Sequence, residues 1–302
     1  MKKQMSIAVG ALVAAFSMTS ASAVTCTADS WHITAAAPTG TSLYTLPTPQ
    51  QATKCVGVYA NPNNVASIQA DSPNLGYLGN GLLNGEGGWL DPTSATTGFI
   101  TQNDLLALNP ATPNQKKDPG WIQLGMLQGN EGKFQAAKVG PLAAGGAELD
   151  LGQVLSYSQK VDNSLSPEKG GTAGTWQLTV NQNIVSLLHA AGLFQRSTFD
   201  HLAFEVKAGS NWAVYDFNFN QIGGFDLTKP YTITGTWDLN DFRNKPDGVG
   251  KNHDQFPDNA ISDLIIWARD PINTAEVPEP GSMAMMGLGL LALAGARRRK
   301  SR

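Results

Sequence analysis

Between Phe199 and Phe219 the side chains alternate in character with a period of two. Leu202, Phe204 and Val206 fall on one side of an extended chain, and His201, Ala203, Glu205 and Lys207 on the other. Ala208-Gly209-Ser210-Asn211 supplies turn residues, after which Trp212 to Phe219 resumes the alternation with Ala213, Tyr215, Phe217 and Phe219 on one face. That period is the signature of a half-buried strand, and two such runs across a short turn make a β-hairpin. The same pattern predicts strands at Tyr231–Trp237, Asp263–Arg269, Gly174–Val180, Gln153–Ser158 and Trp121–Leu127, separated by Gly and Pro clusters. One segment departs from it. Ile184, Leu187, Leu188 and Ala191 recur at helical spacing, Asn181 or Asn183 can cap the start and Gly192 the end, which predicts one short helix. Residues 56–118, rich in Asn, Gly and Pro, predict short strands and long loops rather than a second domain.

Composition supports the β reading. Charged residues are only 15% of the 302, against ~25% in an average soluble protein, while 32 Gly and 17 Pro argue against a coiled coil or helical bundle. A 41% hydrophobic content still permits a core. The fold class expected is all-β: a jelly-roll-like β-sandwich over residues 24–276 with one short helix.

The two ends differ from this body. Lys2 and Lys3 open a leader whose apolar run, Ile7 to Met18, is too short for a span of ~20 residues and precedes the small-x-small site Ala21-Ser22-Ala23. Residues 1–23 are therefore expected to be a signal peptide, cut by signal peptidase after Ala23. At the other end Val277-Pro278-Glu279-Pro280 precedes an apolar stretch, Met283 to Ala296, and then Arg297-Arg298-Arg299-Lys300. The prolines fix φ on both sides of Glu279 and favour an extended, accessible element. The stretch is short and small-residue-rich for a hydrocarbon core of ~30 Å, and the basic cluster would keep that tip cytoplasmic. Without the ends, residues 24–276 carry 14 basic and 23 acidic side chains, a net of −9, so nucleic acid is not an expected partner.

Pro278-Glu279-Pro280, the short apolar helix and the arginine-rich tip together resemble the PEP-CTERM sorting signal, here residues 277–302. The resemblance implies an exported protein of a Gram-negative bacterium, often one that makes exopolysaccharide and biofilm. Its tail would be handled by an exosortase, a membrane-embedded cysteine protease similar to sortase in role. It also implies transient inner-membrane anchoring through the C-terminal helix, then delivery to the cell surface or outside. Within the body, Gly174-Thr175-Trp176, Phe199-Asp200-His201-Leu202, Lys207 to Tyr215, Gly235-Thr236-Trp237-Asp238, Ser262-Asp263-Leu264 to Arg269, and upstream Trp121 to Gly125 resemble a module recurrent in such proteins. The likeness spans roughly residues 120–270, departs from the module in a long insertion from Asn240 to Asn259, and carries no catalytic residues with it.

Cys26 and Cys55, the only cysteines, are an even pair in an exported chain and predict one structural disulfide. Redox CxxC and zinc sites need closer or additional ligands. GxSxG, HExxH and P-loop patterns are missing, and His32, His189, His201 and His253 are scattered. His201 beside Asp200 suggests a Ser-His-Asp story, but an outward residue on an alternating strand is the simpler expectation. Paired glycosidase carboxylates are defined by spatial separation, which sequence does not carry. Two non-catalytic sites are candidates. Asp238, Asp241, Asp247 and Asp254, among many Asn, supply hard oxygen ligands that calcium could use, although the spacing fits no EF-hand and a solvated loop is the favoured account. Trp89, Trp121, Trp212 and Trp237, with Tyr215 and Tyr231, could offer flat faces to sugar rings. Trp176 and Trp237 are expected in the core, while Trp212, just after a turn, and Trp89 are the candidates for sugar stacking.

The expectation is thus a non-enzymatic, surface-sorted protein of the envelope or polysaccharide matrix with no cofactor, a structural calcium in the acidic loop being the less favoured alternative. A carbohydrate-binding module for exopolysaccharide and a secreted hydrolase are the alternatives.

Overall fold

The computed structural model describes residues 26–60, 68–100, 106–107, 117–118, 120–129, 132–141, 146–165, 172–181, 187, 199–209, 211–222, 224–226, 229–243 and 261–269. The leader, the tail with Ala21, Ala23 and Pro278-Glu279-Pro280, and Asp247 and Asp254 lie outside them, as does most of the helix expected over 181–192. No helix among the described residues is long and apolar enough to cross a membrane.

In chain order the strands are β1 (Trp31–Pro38), β2 (Tyr44–Gln51), β3 (Lys54–Ala60), β4 (Leu106–Ala107), β5 (Lys117–Asp118), β6 (Trp121–Gln128), β7 (Gln135–Ala136), β8 (Lys138–Val139), β9 (Leu149–Asp150), β10 (Leu155–Val161), β11 (Ala173–Val180), β12 (His201–Ala208), β13 (Asn211–Asn218), β14 (Tyr231–Asp238) and β15 (Ile261–Arg269). Two large sheets result, ordered β10-β11-β14-β1-β2 and β3-β13-β12-β15-β6-β7, beside two minor pairs, β4-β5 and β8-β9. Every pairing is antiparallel. The expected hairpin is β12–β13, and each other expected strand is present within a few residues. Of the segment Gln153–Ser158, Gln153 closes a 3-10 turn and the strand starts at Leu155. A single helical turn, Phe219–Ile222, follows β13.

The large sheets pack face to face. Trp31 and Ile33 of β1, Trp176 and Leu178 of β11 and Trp237 of β14 meet Leu202, Phe204, Val206, Tyr215, Phe217 and Ile266 of the second sheet in one apolar cluster. Phe204 sits near its centre, with the Trp31 and Trp176 rings 4.6 and 4.9 Å away. Truncating a buried ring of this kind costs about 3–5 kcal/mol.

The second sheet differs from the half-buried expectation: β12 and β13 are buried on both faces. Leu82, Leu83, Leu90, Phe99 and Ile100, from the long loop region, pack on its outer side against Trp121, Ala203, Trp212, Val214, Ile265 and Trp267. A strand covered on both sides needs no polar face, which is why Ala203, Trp212 and Val214 are apolar where alternation would ask for polar residues.

Two devices tie the start of the body down. The Cys26–Cys55 disulfide joins the segment before β1 to β3, and so links the two sheets. The Asp241 carboxylate, in a 3-10 turn after β14, accepts bonds from Thr27 N, Thr27 Oγ1, Ser30 Oγ and Tyr215 Oη at 2.8–3.0 Å.

Candidate functional site

At one end of the covered sheet, four strands and a loop bring charges together. Lys54 opens β3, Asp216 lies on β13, Arg269 ends β15, and Asp200-His201 leads into β12. With residues 93–95 and 98–100 they line an open cleft of about 650 Å³, which also includes Thr53, Asn218, Asn220 and Gln221.

His201 is the organising side chain. Ala203 stands opposite Asp216 in the β12–β13 register, which makes His201 and Asp216 diagonal neighbours on one face. The His201 Nδ1–H donates to both Asp216 oxygens, at 2.9 and 3.0 Å. His201 is 6% and Asp216 2% exposed, and the Trp121 ring stands edge-on to the imidazole at 5.9 Å. Burial pushes the Asp216 carboxyl above its ordinary value, while the His201 bond and the Arg269 charge pull it back. The carboxylate holds the ring through Nδ1 and leaves Nε2 as the nitrogen without a partner among the described residues.

The cations are already engaged. Lys54 Nζ donates to the Gly98 carbonyl and sits 5.0 Å from the centre of the Phe99 ring. Burial lowers the Lys54 pKa, and Asp216 opposes that shift. Arg269 Nε lies 3.7 Å from Asp200 Oδ1, and Arg269 Nη1 donates to the Phe99 carbonyl. Asn220 Nδ2 donates to Asp200 Oδ2.

The hydroxyls of the cleft have other tasks. Thr53 Oγ1 donates to the Asp216 carbonyl and accepts from Asn218 N. Thr93 Oγ1 donates to Asp91, and Ser94 Oγ accepts from the Thr96 and Thr97 amides. Among the described residues, no Ser or Thr hydroxyl bonds to His201.

Several sequence expectations need revision here. His201 does not point outward, and its carboxylate partner is Asp216 rather than the adjacent Asp200. Trp212 is fully buried, its ring 4.8 Å from Tyr59 beneath the loop layer, so it offers no face to a sugar. Trp121, Trp237 and Tyr215 are likewise buried, while Trp89 is half-buried against the outer cluster and Tyr231 against the inner one. Trp176 and Trp237 are in the core as expected. Of the proposed calcium ligands, Asp238 accepts from Asn240 N, and burial raises its pKa. Asp241 is saturated by the four donors named above. His32 Nε2 lies 3.0 Å from Asp29 Oδ1. Asp216 carried no sequence signal of its own, because only the strand register reveals its partner.

Residues 276–300 match the family described as the PEP-CTERM protein-sorting motif. No curated protein and no solved structure matches the chain. The motif implies an exported protein that an exosortase processes and sorts to the cell surface. The chain therefore carries a PEP-CTERM sorting motif behind a β-rich, disulfide-bonded body.

Proposed function

We propose that the protein works without catalysis of its own as a structural or interaction component of the envelope or extracellular polysaccharide matrix. Signal peptidase frees Val24, the tail holds the chain in the inner membrane with its arginines inside, and an exosortase then cuts near Pro278-Glu279-Pro280. The observation that carries this reading is the sorting motif at 276–300. The acidic body and the covered core, with its buried tryptophans, are consistent with a durable surface module.

A tag placed after Arg302 tests it. In cells that possess an exosortase the tag should be lost while the body reaches the surface, and deleting the exosortase should restore a tagged, membrane-held chain. An intact tail persisting in exosortase-bearing cells, or the uncut chain in the cytosol with both thiols free, would overturn the reading. A carbohydrate-binding role is the second reading. It is favoured by the polar cleft around His201 rather than by any exposed tryptophan face.

A further inference from the structure

We propose that the cleft takes one or two rings of a neutral glycan, with His201 Nε2 accepting a ligand hydroxyl. The inference rests on the carbohydrate-binding reading above and deepens it by naming the ligand's charge class and the atom that receives it.

Three features set that class. His201 is more than nine-tenths buried, yet it lines the cleft, and only its Nδ1 has a hydrogen-bond partner among the described residues. Nε2 is not among the fully enclosed unpartnered atoms, so it is open to a hydrogen-bond partner from outside the protein. Water or a ligand hydroxyl can supply it.

The charges facing the cleft are balanced within the protein. Arg269 stands by Asp200, Asp216 receives the His201 proton donor, and Lys54 is bonded to Gly98 and lies over Phe99. An anionic ligand would meet two carboxylates and cations that are already committed. A second cation would need to displace Arg269 or Lys54. Neutral groups remain: Asn218 Nδ2 and Asn220 Oδ1, whose amide partners Oδ1 and Nδ2 are already bonded, the exposed Gln221 amide, and the second imidazole nitrogen. Such a mixture of donors and acceptors matches a ligand whose every hydroxyl is both. A volume of about 650 Å³ lies within the range of ~300–1,000 Å³ common for small-molecule sites, and Phe99 adds an apolar wall.

The test uses the full, disulfide-bonded chain labelled with 15N-histidine, in which four histidines give few resonances. It is titrated at about 10 mM with cellotetraose, maltotetraose, laminaritetraose and xylotetraose, and separately with trigalacturonate. At least one neutral oligosaccharide should move the His201 Nε2 signal while that of His32 stays in place, and trigalacturonate should not. Asn220 and Gln221 are exposed, so Asn220→Ala with Gln221→Ala should keep the fold and weaken that neutral ligand by roughly tenfold. No His201 shift with any of the four neutral sugars overturns the proposal. An equal response to trigalacturonate, or a shift that the double variant leaves unweakened, overturns it too. Surface sorting is read from the tail tag and is independent of each of these outcomes.

Discussion

Trp176 of β11 stands opposite Gly235 of β14, and its indole lies over the bare backbone that the glycine leaves. Two residues along, the roles reverse, and Trp237 of β14 covers Gly174 of β11. The two tryptophans therefore fill the same face of the first sheet without colliding, and both reach the central core cluster. Each ring occupies the volume that its cross-strand partner vacates.

Gly235→Ala should therefore be severely destabilising. A Cβ at this position would run into the His32 carbonyl oxygen and the Trp176 ring. One collision is with paired backbone, so it cannot be relieved by rotating a side chain. We expect a loss of about 3 kcal/mol or more, seen as a melting temperature lower by roughly 6–12 °C. Gly40→Ala is the control. Open space surrounds Gly40, and only its φ of +87° is at issue, so that change should cost about 1 kcal/mol. Equal losses in the two variants would refute the packing account.

Asp241 makes a second local prediction. Asp241→Ala removes the acceptor for Thr27 N, Thr27 Oγ1, Ser30 Oγ and Tyr215 Oη together. Orphaned buried donors cost about 1–3 kcal/mol each, although water reaches the exposed Thr27. Urea unfolding should show a loss of about 3 kcal/mol or more. Tyr215→Phe, which deletes one donor and leaves the carboxylate three, should cost about 1 kcal/mol.

The sandwich was legible from the chain because alternation and turn chemistry are local properties. Leu202-Phe204-Val206 and Ala213-Tyr215-Phe217 face inward as their spacing requires. What alternation does not carry is whether the opposite face is wet. The Asn- and Gly-rich region with weak periodicity supplies Leu82, Leu83, Leu90, Phe99 and Ile100 as a cover, and these bury Trp212. The cleft was less legible still. Asp200 is adjacent to His201 in sequence, but neighbours along a strand point to opposite faces. Asp216, fifteen positions away, shares the face of His201 only through the hairpin register.

The disulfide makes a third prediction. Cys26 and Cys55 close a loop with a sequence separation of 29, so replacing both with Ser should lower stability by about 3–4 kcal/mol through the unfolded chain. Cys26 N also donates to the Gly57 carbonyl, and that bond survives in the variant, so the first strand should keep its register. Hydrogen exchange across β1 and β3 checks this. Protection lost in β1 alone, with global stability unchanged, would contradict the prediction.

Glu205 predicts how stability depends on pH. Trp267 Nε1 donates to its Oε2 at 2.9 Å, while Oε1 is buried without a partner among the described residues. Burial raises its pKa well above the ordinary 4.5, with Asp263 adding to the rise and the Trp267 bond and Lys207 opposing it. Because the folded state holds this proton after the unfolded chain has released it, the favourable contribution is complete below about pH 4.5 and declines as pH rises toward the folded value. Asp216, also raised by burial, adds a slope of the same sign. Lys54, whose pKa burial lowers, contributes the opposite slope below 10.5. Glu205→Gln keeps an acceptor for Trp267 but cannot ionise. The variant should match the parent near pH 4 and become progressively more stable than it toward neutral pH, with the Asp216 and Asp238 slopes left. Melting curves across that range test the point, and parallel pH profiles for the two proteins would show that Glu205 is not the group that titrates.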